Sequence, residues 1–548
     1  MESFESSDKP APRFDVGAIL STVPGRSSRK KESRPRMPEI YKWCDILTEG
    51  LIYLMIVFTP WAFGTTEDWS IWTMNFAAYS LGGILITKWL VRWRTAYRPA
   101  RWGDSAEETE TPVEASSRRR ISGGWVTILL ASCTCFILLY CLVGALNARA
   151  VYLVGQRRFE YFDVISWLPQ SYDAASTWQS FFNYLGLAWF FWALRDWLLG
   201  KTSSERHTSR DAQDEAEVTR TVGVHRHRTG FLALPERLQR LLWVLCINGG
   251  LLALEAILQR LSGTSKLLWL VQPTRNADAE SQFGPYAYRS NAAQYLNLVW
   301  PVCLGFWVSL RRLALSKRRE RARIGEGSHV VLLPLAVIMA ACPVISTSRG
   351  GAFIAAANML IAMGVLMWAL RADGRRTQLG VVCLFAVVVG LSGYLGWEKL
   401  SPRLKTILED NMSNRKEIYD NALPIVKDYP VFGTGAGTFG SVYQLYRATP
   451  SQTWAGYLHD DWLETRATLG WVGFGVVCLM LVATLIRPVV PGGISIGGEF
   501  TGLTLASIAG CLLHAKYDFP MQIYSVLFLF LLLSSVLFCV TCRRSAPR

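Results

Sequence analysis

The chain has 548 residues, 51% of them hydrophobic, and carries a formal charge of +15. That apolar fraction alone excludes little, but its distribution excludes a soluble fold: the apolar residues fall in blocks of about 16–24, the length a helix needs to cross a bilayer. The positive charge collects in short loops between the blocks rather than along one face. This argues against a nucleic-acid-binding surface and for the positive-inside bias of a polytopic membrane protein.

In chain order, a polar segment over 1–45 containing RSSRKK comes first and is expected to be a disordered cytoplasmic tail, with no cleavable signal peptide. Apolar blocks then predict about twelve membrane helices in an all-α fold, at 46–64, 70–91, 123–146, 177–199, 238–260, 291–311, 329–347, 351–371, 379–397, 466–486, 499–514 and 521–541. Nine of these lie within 46–397, interrupted by charged loops at 92–122 and 200–237, and three lie within 466–548. Basic clusters at RWRTAYRPAR, RRR, RRLALSKRRERAR, RADGRR and CRRSAPR occupy alternate loops, which predicts that both termini are cytoplasmic. Most of the 12 cysteines sit inside apolar blocks and are read as small hydrophobes. The C-x-x-C spacing of Cys539 and Cys542 closes the last block and is given no redox or metal role.

On this topology the segments 147–176, 262–290, 348–350 and 398–465 lie outside, the last being the only long one. Within it, KTILEDNMSNRKEIYDNALPIVKDYP predicts one or two amphipathic helices, with Asn411 or Ser413 as N-cap and Pro430 as a stop. VFGTGAGTFG follows and contains a literal G-x-G-x-x-G at Gly435, Gly437 and Gly440. A dinucleotide fingerprint requires a preceding strand and a βαβ unit, and neither is predicted here. NAD binding is therefore excluded, and the glycines are expected to turn the backbone sharply and let it approach a neighbour.

Of 6 histidines, only His459 and His514 reach the outer face. His459, in YLHDDWLE, is either a solvated loop residue or a general base steadied by Asp460 or Asp461. His514, in HAKYDFP with Asp518, is expected to orient a helix end. Arg349 interrupts two apolar blocks at the outer mouth, where a snorkelling anchor is the bland alternative. Arg289, in FGPYAYRSNAAQYL, and Arg415, in SNRKEIYD, are read as two further outer arginines close to span entries. Guanidinium groups converging at a membrane surface suit a phosphate or diphosphate, which they grip through paired hydrogen bonds. No outer Cys/His cluster points to a metal, and no cofactor is predicted.

TSRGGAF, then R-x-x-x-Y ahead of YPVFGTGAGTF, then LHDDWLETRATLGWVG, flanked by FGPYAYRSNAAQYL and HAKYDFP, resemble the ordered motifs of the O-antigen ligase and polymerase superfamily. The resemblance spans about residues 160–541. It implies a GT-C-like, metal-independent membrane glycosyltransferase that moves a glycan from an undecaprenyl-diphosphate carrier to a lipid or polysaccharide acceptor. It further implies that Arg349 and Arg415 hold the diphosphate and that His459 lies at the transferred bond. A polymerase or a protein O-oligosaccharyltransferase would use the same constellation. A lipid-linked sugar flippase would instead show charges along the spans and internal repeats; Glu255 is the clearest mid-span charge, and no repeat is evident.

Overall fold

The computed structural model describes residues 37–103, 124–208, 234–320, 328–409, 413–448 and 456–542. Residues 1–36, most of the two charged loops, Asn411 and the last basic cluster lie outside the described residues. The protein is mostly helical, with a helix at each position where an apolar block predicted one. These are α1 Glu39–Trp61, α2 Asp68–Thr95, α3 Gly124–Leu146, α4 Ala174–Leu198, α5 Glu236–Ser262, α6 Arg289–Glu320, α7 Leu332–Ile345, α8 Arg349–Ala369 and α9 Arg375–Ser392. A π-helical turn at Gly393–Trp397 carries α9 into α10 Glu398–Glu409, so the helix continues past the boundary expected at 397. The shorter α11 Ser413–Asp428 and α12 Phe439–Tyr446 follow, and then α13 Asp461–Ile486, α14 Gly498–His514 and α15 Tyr524–Cys539. Among the described residues, seven helical stretches are long and apolar enough to cross a membrane.

The first helix starts at Glu39, inside the segment expected to be a disordered tail. Tyr41 and Cys44 are buried, so this first turn packs against the bundle instead of trailing from it. In the 147–176 segment, β1 Ala150–Leu153 and β2 Arg158–Tyr161 form an antiparallel hairpin with Ala150 opposite Tyr161. A short parallel pair, β3 Ile494–Ile496 and β4 Val540–Cys542, joins the chain before α14 to the end of α15.

The main core runs through α1, α2, α4–α9, α14 and α15. Trp197, Trp300, Tyr286 and Tyr295 are its largest fully buried side chains. A second, smaller core lies under the 413–446 segment, where Ala422, Ile425 and Val426 of α11 meet Phe439, Val442 and Tyr443 of α12. Leu458 and Ala467 complete it. The helical spacing of these apolar residues is what docks α11, and with it Arg415, onto the start of α13.

The glycine-rich stretch repairs a break in α13. Gly470 has φ 61° and ψ −169°, interrupting the helix and freeing carbonyls in the preceding turn. The backbone of Thr434 donates to Ala467 at 3.0 Å and that of Gly435 donates to Thr468 at 2.8 Å. The Tyr140 hydroxyl lies 2.6 Å from the Phe432 carbonyl and 2.9 Å from that of Leu469. Gly435 has φ 106°, and a Cβ there would lie 2.9 Å from the Ser171 backbone, so only glycine fits. Gly437 likewise has φ 74°. The stretch is a backbone plug, with the sharp turn and close approach that its glycines suggest.

Candidate active site

His459 lies at the junction between α12 and α13, and its φ of 59° is set by the start of the helix that follows. Asp460 is the N-cap of α13: its carboxylate accepts from the Leu463 amide at 3.1 Å and from Lys516 Nζ at 2.5 Å. Asp461 is also buried, and one of its oxygens accepts from the Met521 amide at 2.8 Å. Asp460 is thus committed to backbone and lysine and one Asp461 oxygen to backbone, and neither carboxylate is hydrogen-bonded to the imidazole among the described residues. The residue that meets His459 is Asp518, with His459 Nδ1 3.0 Å from Asp518 Oδ1. A carboxylate accepts only, so Nδ1 carries the proton and Nε2 is left with its lone pair. The His459 side chain is 25% exposed while that of Asp518 is 7% exposed, an outward-reaching ring on a buried support.

Asp518 is supported from several elements. Ser290, in the first turn of α6, donates to Oδ2 at 2.6 Å, the Tyr288 hydroxyl lies at 3.4 Å, and the Phe519 amide donates to Oδ1 at 3.1 Å. Burial alone would raise the Asp518 pKa. The His459 hydrogen bond and the charges of His514 and Arg415 outweigh it and hold the carboxyl well below the usual carboxylate range. Phe519 packs edge-on to the His459 ring at 4.7 Å and stacks on Tyr457 at 4.5 Å, which fixes the ring plane.

Arg415 and Tyr419 stand one turn apart on α11, where residues four apart share a face. Arg415 donates to the Tyr517 carbonyl, immediately before Asp518, and Tyr419 donates to the His459 carbonyl at 3.0 Å. One helix therefore pins both halves of the His459–Asp518 pair. The R-x-x-x-Y spacing was the available signal, although Tyr419 was assigned no role from sequence; Ser290 and Tyr288 were also missed.

Arg349 begins α8 at the surface, behind the Ser348 N-cap, whose Oγ accepts from the Gly351 amide at 3.1 Å. Ser348 Oγ also donates to Ser290 Oγ at 3.2 Å, so the start of α8 connects through Ser290 to Asp518. The fully enclosed His514 ring lies against Gly350, where a Cβ would come within 2.6 Å of Nε2. His514 Nδ1 is 2.8 Å from Gln294 and its Nε2 is 3.9 Å from Asp518. It acts as a spacer between the Arg349 turn and Asp518, in keeping with an orienting role.

Arg289 belongs to a neighbouring group. Its guanidinium donates to the Glu280 carbonyl, and Arg260 and Arg403 lie near it, the latter paired with Glu280 at 3.0 Å. The structure thus brings His459, Asp518, Arg415, His514 and the Arg349 turn into one network and directs Arg289 to the 278–282 turn. Among the described residues, no three His, Cys, Asp or Glu side chains are grouped to hold a metal ion.

This network can take a proton at His459 Nε2 and offers cationic groups on the same face. Residues 334–478, from α7 into α13, match the family model of the O-antigen ligases. No curated protein matches the chain. The matched segment carries Arg349, Arg415 and His459, so this region of the chain is similar to the O-antigen ligases, and helices long and apolar enough to cross a membrane surround it.

Proposed function

We propose that the protein is a glycosyltransferase that moves a glycan from an undecaprenyl-diphosphate carrier to an acceptor hydroxyl at the outer face of the cytoplasmic membrane. The observation that carries this reading is the His459–Asp518 pair, pinned by an α11 that also carries Arg415. His459 Nε2 takes the proton of the acceptor hydroxyl as its oxygen attacks the anomeric carbon, and the bond from that carbon to the diphosphate oxygen breaks. Asp518 holds the imidazole in the accepting tautomer and stabilises the imidazolium that forms. Negative charge grows on the departing diphosphate, where Arg415 and Arg349 offset it, so the reaction proceeds without a metal. The 398–465 segment covers the site on the outer side, and both termini are cytoplasmic.

The ligase, polymerase and protein-glycosylating versions of this chemistry differ in the acceptor and share these steps. The test is reconstitution: purified protein in nanodiscs with a polyprenyl-diphosphate-linked saccharide and candidate acceptors. Acceptor-dependent release of polyprenyl diphosphate, insensitive to EDTA, is the expected result. No release with any acceptor would overturn the reading, and EDTA-sensitive release would overturn its metal-free step.

A further inference from the structure

Asp461 and Glu464 stand three residues apart in the first turn of α13, on one face of the helix, and both are buried. Each bonds the backbone of a different half of the dyad. Asp518 lies in the loop that joins α14 to α15, midway between two anchors that Asp461 provides. The Asp461 amide donates to the Ala515 carbonyl at 2.8 Å, and its carboxyl Oδ2 accepts from the Met521 amide at 2.8 Å. Trp462, beside it, donates from Nε1 to the Leu512 carbonyl at 3.1 Å, which ties the same turn to the end of α14.

On the other side, Glu464 Oε2 accepts from the amide of Leu458, the residue before His459, at 2.8 Å. Tyr419 holds the His459 carbonyl, so the backbone is fixed on both sides of a left-handed residue with φ 59°. Such a conformation persists only where its surroundings hold it. Stability does not account for these carboxyls. Asp461 Oδ1 has no hydrogen-bond partner among the described residues, and a buried polar atom left without one is unfavourable to the fold. The nearby cation, Lys516, pairs with Asp460 instead. What the two groups secure is relative position. One turn of one helix sets where Asp518 and His459 stand, and a reacting group misplaced by about 1 Å can lose about 10²-fold in rate.

We propose that Asp461 and Glu464 are positioning residues of the transfer: Asp461 acts through Asp518, whose loop it clamps, and Glu464 acts through His459, whose turn it fixes. The proposal rests on the glycosyltransferase reading. It moves Asp461 from the side of the imidazole to a place behind Asp518.

The test measures acceptor-dependent release of polyprenyl diphosphate by the full chain in nanodiscs, with rates counted per donor-binding molecule so that loss of folded protein does not register. Asp461→Asn and Glu464→Gln keep an oxygen that can accept from the same amide, and should retain most of the wild-type kcat. Asp461→Leu, with Asp461→Ala as its smaller counterpart, and Glu464→Leu remove that oxygen. They should lower kcat about 10–100-fold with KM for the donor little changed. Asp461→Leu should add almost nothing in an Asp518→Asn background, nor Glu464→Leu in a His459→Ala background. Amide variants as slow as the leucine variants would overturn the proposal, because the acid itself would then be acting on substrate or proton. Leucine variants with full kcat would overturn it too, as would losses that multiply in the double variants or a rise in donor KM that accounts for the whole loss. A wild-type chain that releases no polyprenyl diphosphate would instead sink the functional reading on which the proposal rests.

Discussion

The two ends of the helix bundle hold charge in opposite ways. Near the C-terminus of α4, Lys88 is 1% exposed and pairs with Asp45 at 2.7 Å and Asp196 at 2.9 Å. Arg92 and Arg101 pair with the same Asp196, and Arg237 with Asp45. This clasp ties α1, α2, α4 and α5 together. At the other end lie the His459 network and the neighbouring 278–282 turn, where two arginines meet dipoles: Arg415 donates to the Tyr517 carbonyl and Arg289 to the Glu280 carbonyl, with no carboxylate within ion-pair distance of either among the described residues. A carbonyl orients a guanidinium without cancelling its charge, which leaves that charge available to an anionic ligand. Acid–base matching holds the fold at one end, while at the other Arg415 and Arg289 lie outside such pairs, as binding of the proposed diphosphate requires.

If that contrast is right, substitutions at the two ends should fail in different ways. The largest expected effect is His459→Ala, which should slow transfer by about 10²–10⁴-fold while leaving lipid-diphosphate binding intact. Turnover of bound donor at the wild-type rate would remove His459 from the chemistry. At the other end, Lys88→Met leaves two buried carboxylates under-compensated and should cost about 3–5 kcal/mol of stability, with turnover per folded molecule unchanged. Unfolding in detergent titrations checks this, and a selective loss of turnover would mean the clasp is more than structural.

Arg349→Lys should lose most activity while the protein still inserts, because a lysine keeps the charge but not the bidentate fork. Full activity would demote Arg349 to an anchor. Asp518 should leave no inflection in the rate–pH profile above about pH 4, since its carboxyl titrates below the ordinary range. The sign follows from that depression: its contribution is present at neutral pH and is lost only as pH falls through the lowered value. An inflection above pH 4 that vanishes in Asp518→Asn would contradict this. The smallest effect belongs to Tyr419→Phe, which removes one hydrogen bond to the His459 carbonyl and should cost about 0.5–1.5 kcal/mol, read as a modest fall in kcat.

Much of this architecture was legible in the sequence because apolar blocks the length of a bilayer crossing leave little choice of structure, and a helix stands at every block. The boundary at 397 was not legible: α9 continues through a π turn into α10, and nothing in the local pattern marks the exit from the apolar block. In the site, His459 emerged by elimination and Arg415 by its position in the outer segment. The dyad's second member did not, because Asp460 and Asp461 are adjacent in sequence whereas Asp518 is 59 residues away. What decides between them is the start of α13. A helix beginning at Asp461 needs a cap at Asp460, which takes that carboxylate out of play, and His459 adopts a left-handed backbone conformation that histidine tolerates better than most residues. Asp518 was identified in HAKYDFP, but only the folded structure shows which ring it faces.

In the proposed transfer, His459 and Asp518 act as one unit. A double-mutant cycle on acceptor-dependent release of polyprenyl diphosphate, with His459→Ala and Asp518→Asn made singly and together, tests it most directly. Asp518→Asn alone should lower the rate about 10–100-fold, yet add almost nothing once His459 is alanine. Losses that multiply in the double variant would show that the two residues work independently, and would contradict the dyad.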